Sequence, residues 1–137
     1  MIREIMKDPL FLSCQSIDAT REDEHIAIDL LDTLNANRER CVGMAANMIG
    51  ELKNIIVVAE EDSAFIMYNP QIIKTFGQMY PTQEGCLSHQ GVKDVSRYPK
   101  IKVAYLDKDF KKKIKTFSDY TAQIIQHEID HCHGILI

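Results

Sequence analysis

A chain of 137 residues with 45% hydrophobic and 26% charged residues can bury one core and is neither fibrous nor disordered in composition. Its net charge of -4 supplies no basic footprint, so nucleic acid is not an expected partner. The mixed charges of Met1 to Asp8 leave no room for a secretory leader, no apolar run is long enough to span a membrane, and four scattered cysteines in a chain of this size suit a reducing cytoplasm.

Ile26, Ala27, Leu30, Leu31 and Leu34 recur at helical spacing between Asp18 and Arg40, and Thr20 with Asp23 three positions later forms an N-cap pattern. The spacing predicts an amphipathic helix whose acidic Glu22, Asp23 and Glu24 sit at its positive end, with Arg38 and Arg40 as a solvated basic end. The small residues from Cys41 to Gly50 follow no period and mark a place where backbone comes close to something. Asn54 to Ala59 and Ala64 to Tyr68 read as a hairpin around Glu60 to Ser63, ended by Asn69-Pro70, with Gln71 to Phe76 as a further strand. Ile101, Val103 and Tyr105 alternate toward the polar Asp107 to Asp109, and Phe110 to Phe117 returns as a strand. Its lysines, Lys111, Lys112, Lys113 and Lys115, make a wet edge that discourages aggregation. From Ser118 to His133 a second helix is expected, capped by Ser118 and stopped by Gly134. With no repeat or linker, residues 1–137 read as one α+β domain.

Inside that second helix stands His127-Glu128-Ile129-Asp130-His131. Imidazoles four positions apart differ by about 40° around the axis and about 6 Å along it, so both can face one ion. Glu128 lies beside the first of them and can reach a water there without ligating the ion. A catalytic site usually takes a third protein ligand. Cys132 and His133 follow His131 by about 100° and 200° and leave the shared stripe, which makes Cys132 a packing residue and His133 a surface or helix-end group. Cys86, on the glycine-marked bend Glu84-Gly85-Cys86-Leu87-Ser88, could approach from elsewhere in the fold, and spacing does not decide between ligand and packing.

Three segments in this order resemble the peptide deformylase family over nearly the whole chain: the glycine-alanine run, Glu84-Gly85-Cys86-Leu87-Ser88, and Gln126-His127-Glu128-Ile129-Asp130-His131. Met6-Lys7-Asp8-Pro9-Leu10 and Asn69-Pro70 also look like family features. The resemblance implies mixed antiparallel strands packed around a central C-terminal metal-binding helix, with an N-terminal helix. It implies that Cys86, His127 and His131 hold one divalent ion, ferrous iron by family, with zinc, nickel or cobalt as other occupants, and leave one position for water. Glu128 then serves as general base and acid in hydrolysis of the N-formyl group from the N-terminal formylmethionine of a peptide or nascent chain. The family's oxyanion donors are the backbone N–H at Leu87 and a glutamine side chain from the first segment. Gly43 would let a substrate backbone pair as an added strand, Val42 and Ile124 would border a methionine-sized pocket, and Arg97 would brace the metal helix through Asp130.

The sequence departs from the family pattern at Cys41, where a glycine is usual, and at Met48, which stands in place of the glutamine and has no hydrogen to donate. Bacterial members commonly carry a C-terminal extension used in meeting the ribosome, and with Ile137 following so soon after the second helix, the resemblance gives no expectation of ribosome association. The reading preferred here is a cytoplasmic metal-dependent deformylase acting on formyl-methionyl peptides or a related small N-acyl substrate, with reduced activity expected from Met48. The alternative is a deformylase-like paralogue that binds metal and formylated peptide without efficient turnover. A zincin-type peptidase shares the helix motif but would need a downstream third ligand and a second lobe.

Overall fold

The computed structural model describes residues 1–137. A short helix α1 (Pro9–Leu12), with Pro9 in its first turn and the Asp8 side chain accepting the Leu10 N–H, precedes a 3₁₀ turn (Arg21–Asp23) and helix α2 (Glu24–Ala36). The Thr20 N–H donates to Asp23 Oδ2 at 2.9 Å, so the expected reciprocal cap starts this helical stretch. Arg38 does not behave as a solvated end. Its guanidinium collects the carbonyls of Glu60, Glu61 and Ser63 at 2.8–3.3 Å and ties α2 to a distant turn.

The main sheet has the order β1 (Gly43–Ala45), β2 (Ile55–Glu60), β3 (Ser63–Phe76), β6 (Lys100–Leu106) and β7 (Lys112–Ser118), antiparallel throughout. The unbroken apolar run of β2 is explained by helices on both faces. Ile55 and Val57 pack on Ile26, Leu30 and Leu34 of α2, while Ile56 and Val58 pack on Ile125 and Ile129 of α3 (Asp119–Cys132). Asn69-Pro70 does not end its strand as expected. Asn69 adopts φ 51°, the register shifts there, and β3 bends but continues to Phe76. The bend is held because the Asn69 side chain accepts the Ala19 N–H at 2.7 Å and donates to the Ala19 carbonyl at 3.0 Å.

Ser118 occupies the cap position of α3 but makes no side-chain cap bond; the Asp119 N–H donates instead to the Pro99 carbonyl at 2.9 Å. At the other end Gly134, with φ +74°, stops the helix where a Cβ would lie 2.4 Å from the Ser13 carbonyl oxygen. A second sheet, β4 (Tyr80–Gly85) paired with β5 (Val92–Arg97), was not visible in the sequence pattern. Both strands are largely exposed and polar, so neither shows an apolar stripe. No helix is long and apolar enough to cross a membrane.

Candidate metal centre

Helix α3 buries its His127, Glu128 and His131, packs against β1, and is joined to the β4–β5 hairpin through the His127–Glu84 and Asp130–Arg97 contacts. The hairpin delivers Cys86 directly after β4, and the ligand-type atoms of Cys86, His127 and His131 all lie within 4.8 Å of one another. The Nε2 atoms of the two imidazoles are 3.1 Å apart and the Cys86 sulfur is 3.4 Å from His131 Nε2. The rings meet edge to face at 72°, with their two Nε2 atoms adjacent and both near the Cys86 sulfur. The sulfur–nitrogen–nitrogen donor set is one that zinc and other borderline-soft divalent ions accept, and it fits a metal.

The orientation of His127 is fixed from behind. Its Nδ1 lies 2.7 Å from Glu84 Oε1 and donates its N–H there, so Nε2 is the nitrogen that faces the cluster. Glu84 is in turn gripped by Arg97, whose Nε and Nη2 donate at 3.0 and 2.7 Å, and by the Gln123 amide at 3.0 Å. The remaining Arg97 nitrogen donates to Asp130 Oδ2 at 2.6 Å, so one guanidinium bridges Glu84 and Asp130. The sequence reading missed Glu84 as a functional side chain, although its place two residues before Cys86 was a usable signal.

Burial opposes ionisation of Glu84, yet the bonds from His127 and Arg97 outweigh it and hold the carboxyl at about 2. Within the imidazole pair burial works against charge on both rings, but the Cys86 and glutamate neighbours raise His127, while burial and the His127 charge lower His131. Glu128 is the reverse of Glu84: burial, with little to compensate it, pushes its carboxyl up to about 7, and Oε1 has no hydrogen-bond partner.

Glu84, Cys86, His127 and Glu128 form the floor of a cleft of about 510 Å³ walled by Cys41, Val42, Gly43, Met48, Leu87 and Ile124. The Leu87 N–H takes no part in the chain's backbone hydrogen bonding. Met48 is buried and lines the cleft, so that position carries a thioether where a donor was expected by family pattern. Gly43 has a role the sequence did not reveal. A Cβ there would come within 2.6 Å of Ile124 Cγ2 and 2.9 Å of Glu128 Oε2, so the missing side chain is what lets β1 lie against α3. Cys132 is buried among core residues and His133 is exposed, as their helical angles required.

Two imidazoles and a sulfur facing one point, a carboxyl buried beside them and an open cleft in front equip the chain as a metal-dependent hydrolase. A family profile described as polypeptide deformylase matches residues 1–137. A peptide deformylase of Clostridium beijerinckii is 50% identical over the full length of both chains. One of Brachyspira hyodysenteriae is 37% identical over 83% of this chain and 66% of its own. Among solved structures, a Met-Ala-Ser-bound class I type b peptide deformylase of Acinetobacter baumannii has a TM-score of 0.88 at 27% identity, over 99% of this chain and 96% of that one. The chain belongs to the polypeptide deformylase family. Its function is that of the family, metal-dependent hydrolytic removal of the formyl group from the N-terminal formylmethionine of peptides.

Proposed function

We propose that Cys86, His127 and His131 hold a single divalent ion, ferrous iron by family resemblance with zinc, nickel or cobalt as other occupants, and that Glu128 moves the proton of the reaction in a cytoplasmic enzyme. The observation that carries this reading is the convergence of three donor atoms within 4.8 Å, two of them, on Cys86 and His127, lining an open cleft and the third, on His131, buried behind them. When bound, the ion supplies Lewis acidity, polarising a carbonyl and making a water easier to deprotonate.

Glu128 accepts a proton from the attacking water and returns it to the amine nitrogen as the formyl C–N bond breaks, leaving formate and a free amino terminus. Burial, which disfavours the charged form of this carboxyl, suits a group that must both take up and give back a proton. The Leu87 N–H is the backbone donor for the oxyanion, and Met48 adds none. Strand β1 is an edge of the main sheet, so the substrate backbone can join it alongside Val42 and Gly43, with its methionine side chain against Ile124. The Acinetobacter enzyme's Met-Ala-Ser ligand supports a methionyl peptide as the bound class. Arg97 and Asp130 hold the helix and Glu84 in place.

The test is formate release from formyl-Met-Ala-Ser by anaerobically purified protein, with metal content measured on the same sample. Glu128→Ala is expected to lower kcat by about 10²–10⁴-fold with metal retained. Unchanged formate release in that variant overturns the proton-transfer role, and full metal content in His131→Ala overturns the ligand set.

A further inference from the structure

The two imidazoles of the cluster are braced unequally. His127 has Glu84 behind it, whereas Nδ1 of His131 is buried without a partner. With Nε2 of His131 turned toward Cys86 and His127 as a ligand atom, Nδ1 is the nitrogen that carries the proton, and a buried N–H without an acceptor is destabilising. One side chain is already anchored on His131. Asn47, in the 3₁₀ turn Ala46–Ile49 after β1, is fully buried and donates its Nδ2 to the His131 backbone carbonyl at 3.0 Å. That carbonyl also receives the Gly134 N–H at 3.0 Å, so the helix end does not depend on Asn47 for it. The other half of the same carboxamide, Asn47 Oδ1, is a buried acceptor with no partner.

A donor needing an acceptor and an acceptor needing a donor thus sit on two residues already joined by a hydrogen bond. We propose that Asn47 is a positioning residue for His131: its Nδ2 pins the His131 carbonyl while its Oδ1 takes the Nδ1–H across one bridging water, and so fixes the ring with Nε2 facing the metal. This rests on His131 being a ligand. The division of labour has a charge logic. Glu84 needs Arg97 to balance it, and a second buried carboxylate behind His131 would have no such cation, whereas a neutral amide needs none.

The experiment uses the full chain loaded with zinc. In the wild type, an imidazole N–H resonance of His131 is expected to exchange slowly with solvent and to show a nuclear Overhauser contact with the Asn47 amide protons. In Asn47→Ala that resonance is expected to exchange fast while the His127 one stays slow, and zinc affinity by chelator competition is expected to fall about 10–100-fold. A merely structural role would lower stability without singling out one ring nitrogen. The proposal is overturned if the wild type shows no such contact, a result that needs no variant to fold. It is equally overturned if Asn47→Ala keeps the His131 resonance and binds zinc within about threefold of wild type. The third overturning result is that Ser88→Ala, which removes another buried unpartnered hydroxyl near Cys86, and not Asn47→Ala, releases the proton. Failure of the wild type to bind zinc while the Asn47 contact is present would instead strike the metal reading on which this rests.

Discussion

Replacing Arg97 with alanine is the sharpest test of how the centre is supported. The Arg97 and Glu84 side chains are only 6% and 7% exposed, so this is a buried ion pair with two charge-assisted bonds. Removing one partner of such a pair typically costs about 3–5 kcal/mol, because the other charge stays buried. Here Glu84 keeps two further donors, His127 Nδ1 and Gln123 Nε2, which places the expected loss near the lower end, about 3 kcal/mol. Asp130 is 26% exposed and can turn to water, so its lost contact adds at most about 1 kcal/mol. The carboxyl behind His127 then protonates more readily and grips the ring less well, and metal affinity should drop about 10–100-fold. Urea unfolding of the metal-free protein measures the first effect, and chelator competition measures the second. A loss of stability under about 1 kcal/mol together with unchanged metal affinity would refute the claim that Arg97 acts through Glu84.

Met48→Gln should raise kcat by up to about 10²–10³-fold in the formate assay if the cleft lacks only a side-chain donor, and no increase means that another group already fills the role. Gly43→Ala forces a Cβ to within 2.6 Å of Ile124 and 2.9 Å of Glu128, so it should destabilise the fold by about 1–3 kcal/mol and depress kcat as well as metal-free stability. Glu84 is held at about 2 against an ordinary 4.5, so its contribution to stability is complete above pH 4.5 and is lost as the pH falls toward 2. Wild-type urea midpoints should therefore decline over that window, and the decline should be visibly shallower in Glu84→Gln.

What the sequence disclosed was whatever repeats with a period. The i, i+4 histidines and their neighbour Glu128 identify α3 and its polar face, and the apolar run of β2 and the alternation of β6 identify two central strands. The β4–β5 hairpin stayed hidden because its strands carry no apolar stripe, and with it stayed hidden the support that Glu84 gives His127. Spacing alone left Cys86 undecided between ligand and packing; family resemblance supplied the assignment, and the hairpin supplies the physical means of bringing it to α3. Asn69-Pro70 misled in the opposite sense. It has the composition of a strand end, but two hydrogen bonds to Ala19 turn it into a bend within one strand. Gly43 reads locally as backbone freedom, and only the helix packed against it explains why no side chain fits.

Cys86 precedes His127 by a long stretch of chain that includes β5, β6 and β7. A polypeptide emerging from synthesis in order presents that thiol before its imidazole partners exist. During that interval the sulfur has no helix to shelter it, and oxidants or stray soft cations can reach it first. Maturation of the centre is accordingly a race between completion of the fold and damage to one atom, and growth in air should produce more irreversibly inactive molecules than growth without it.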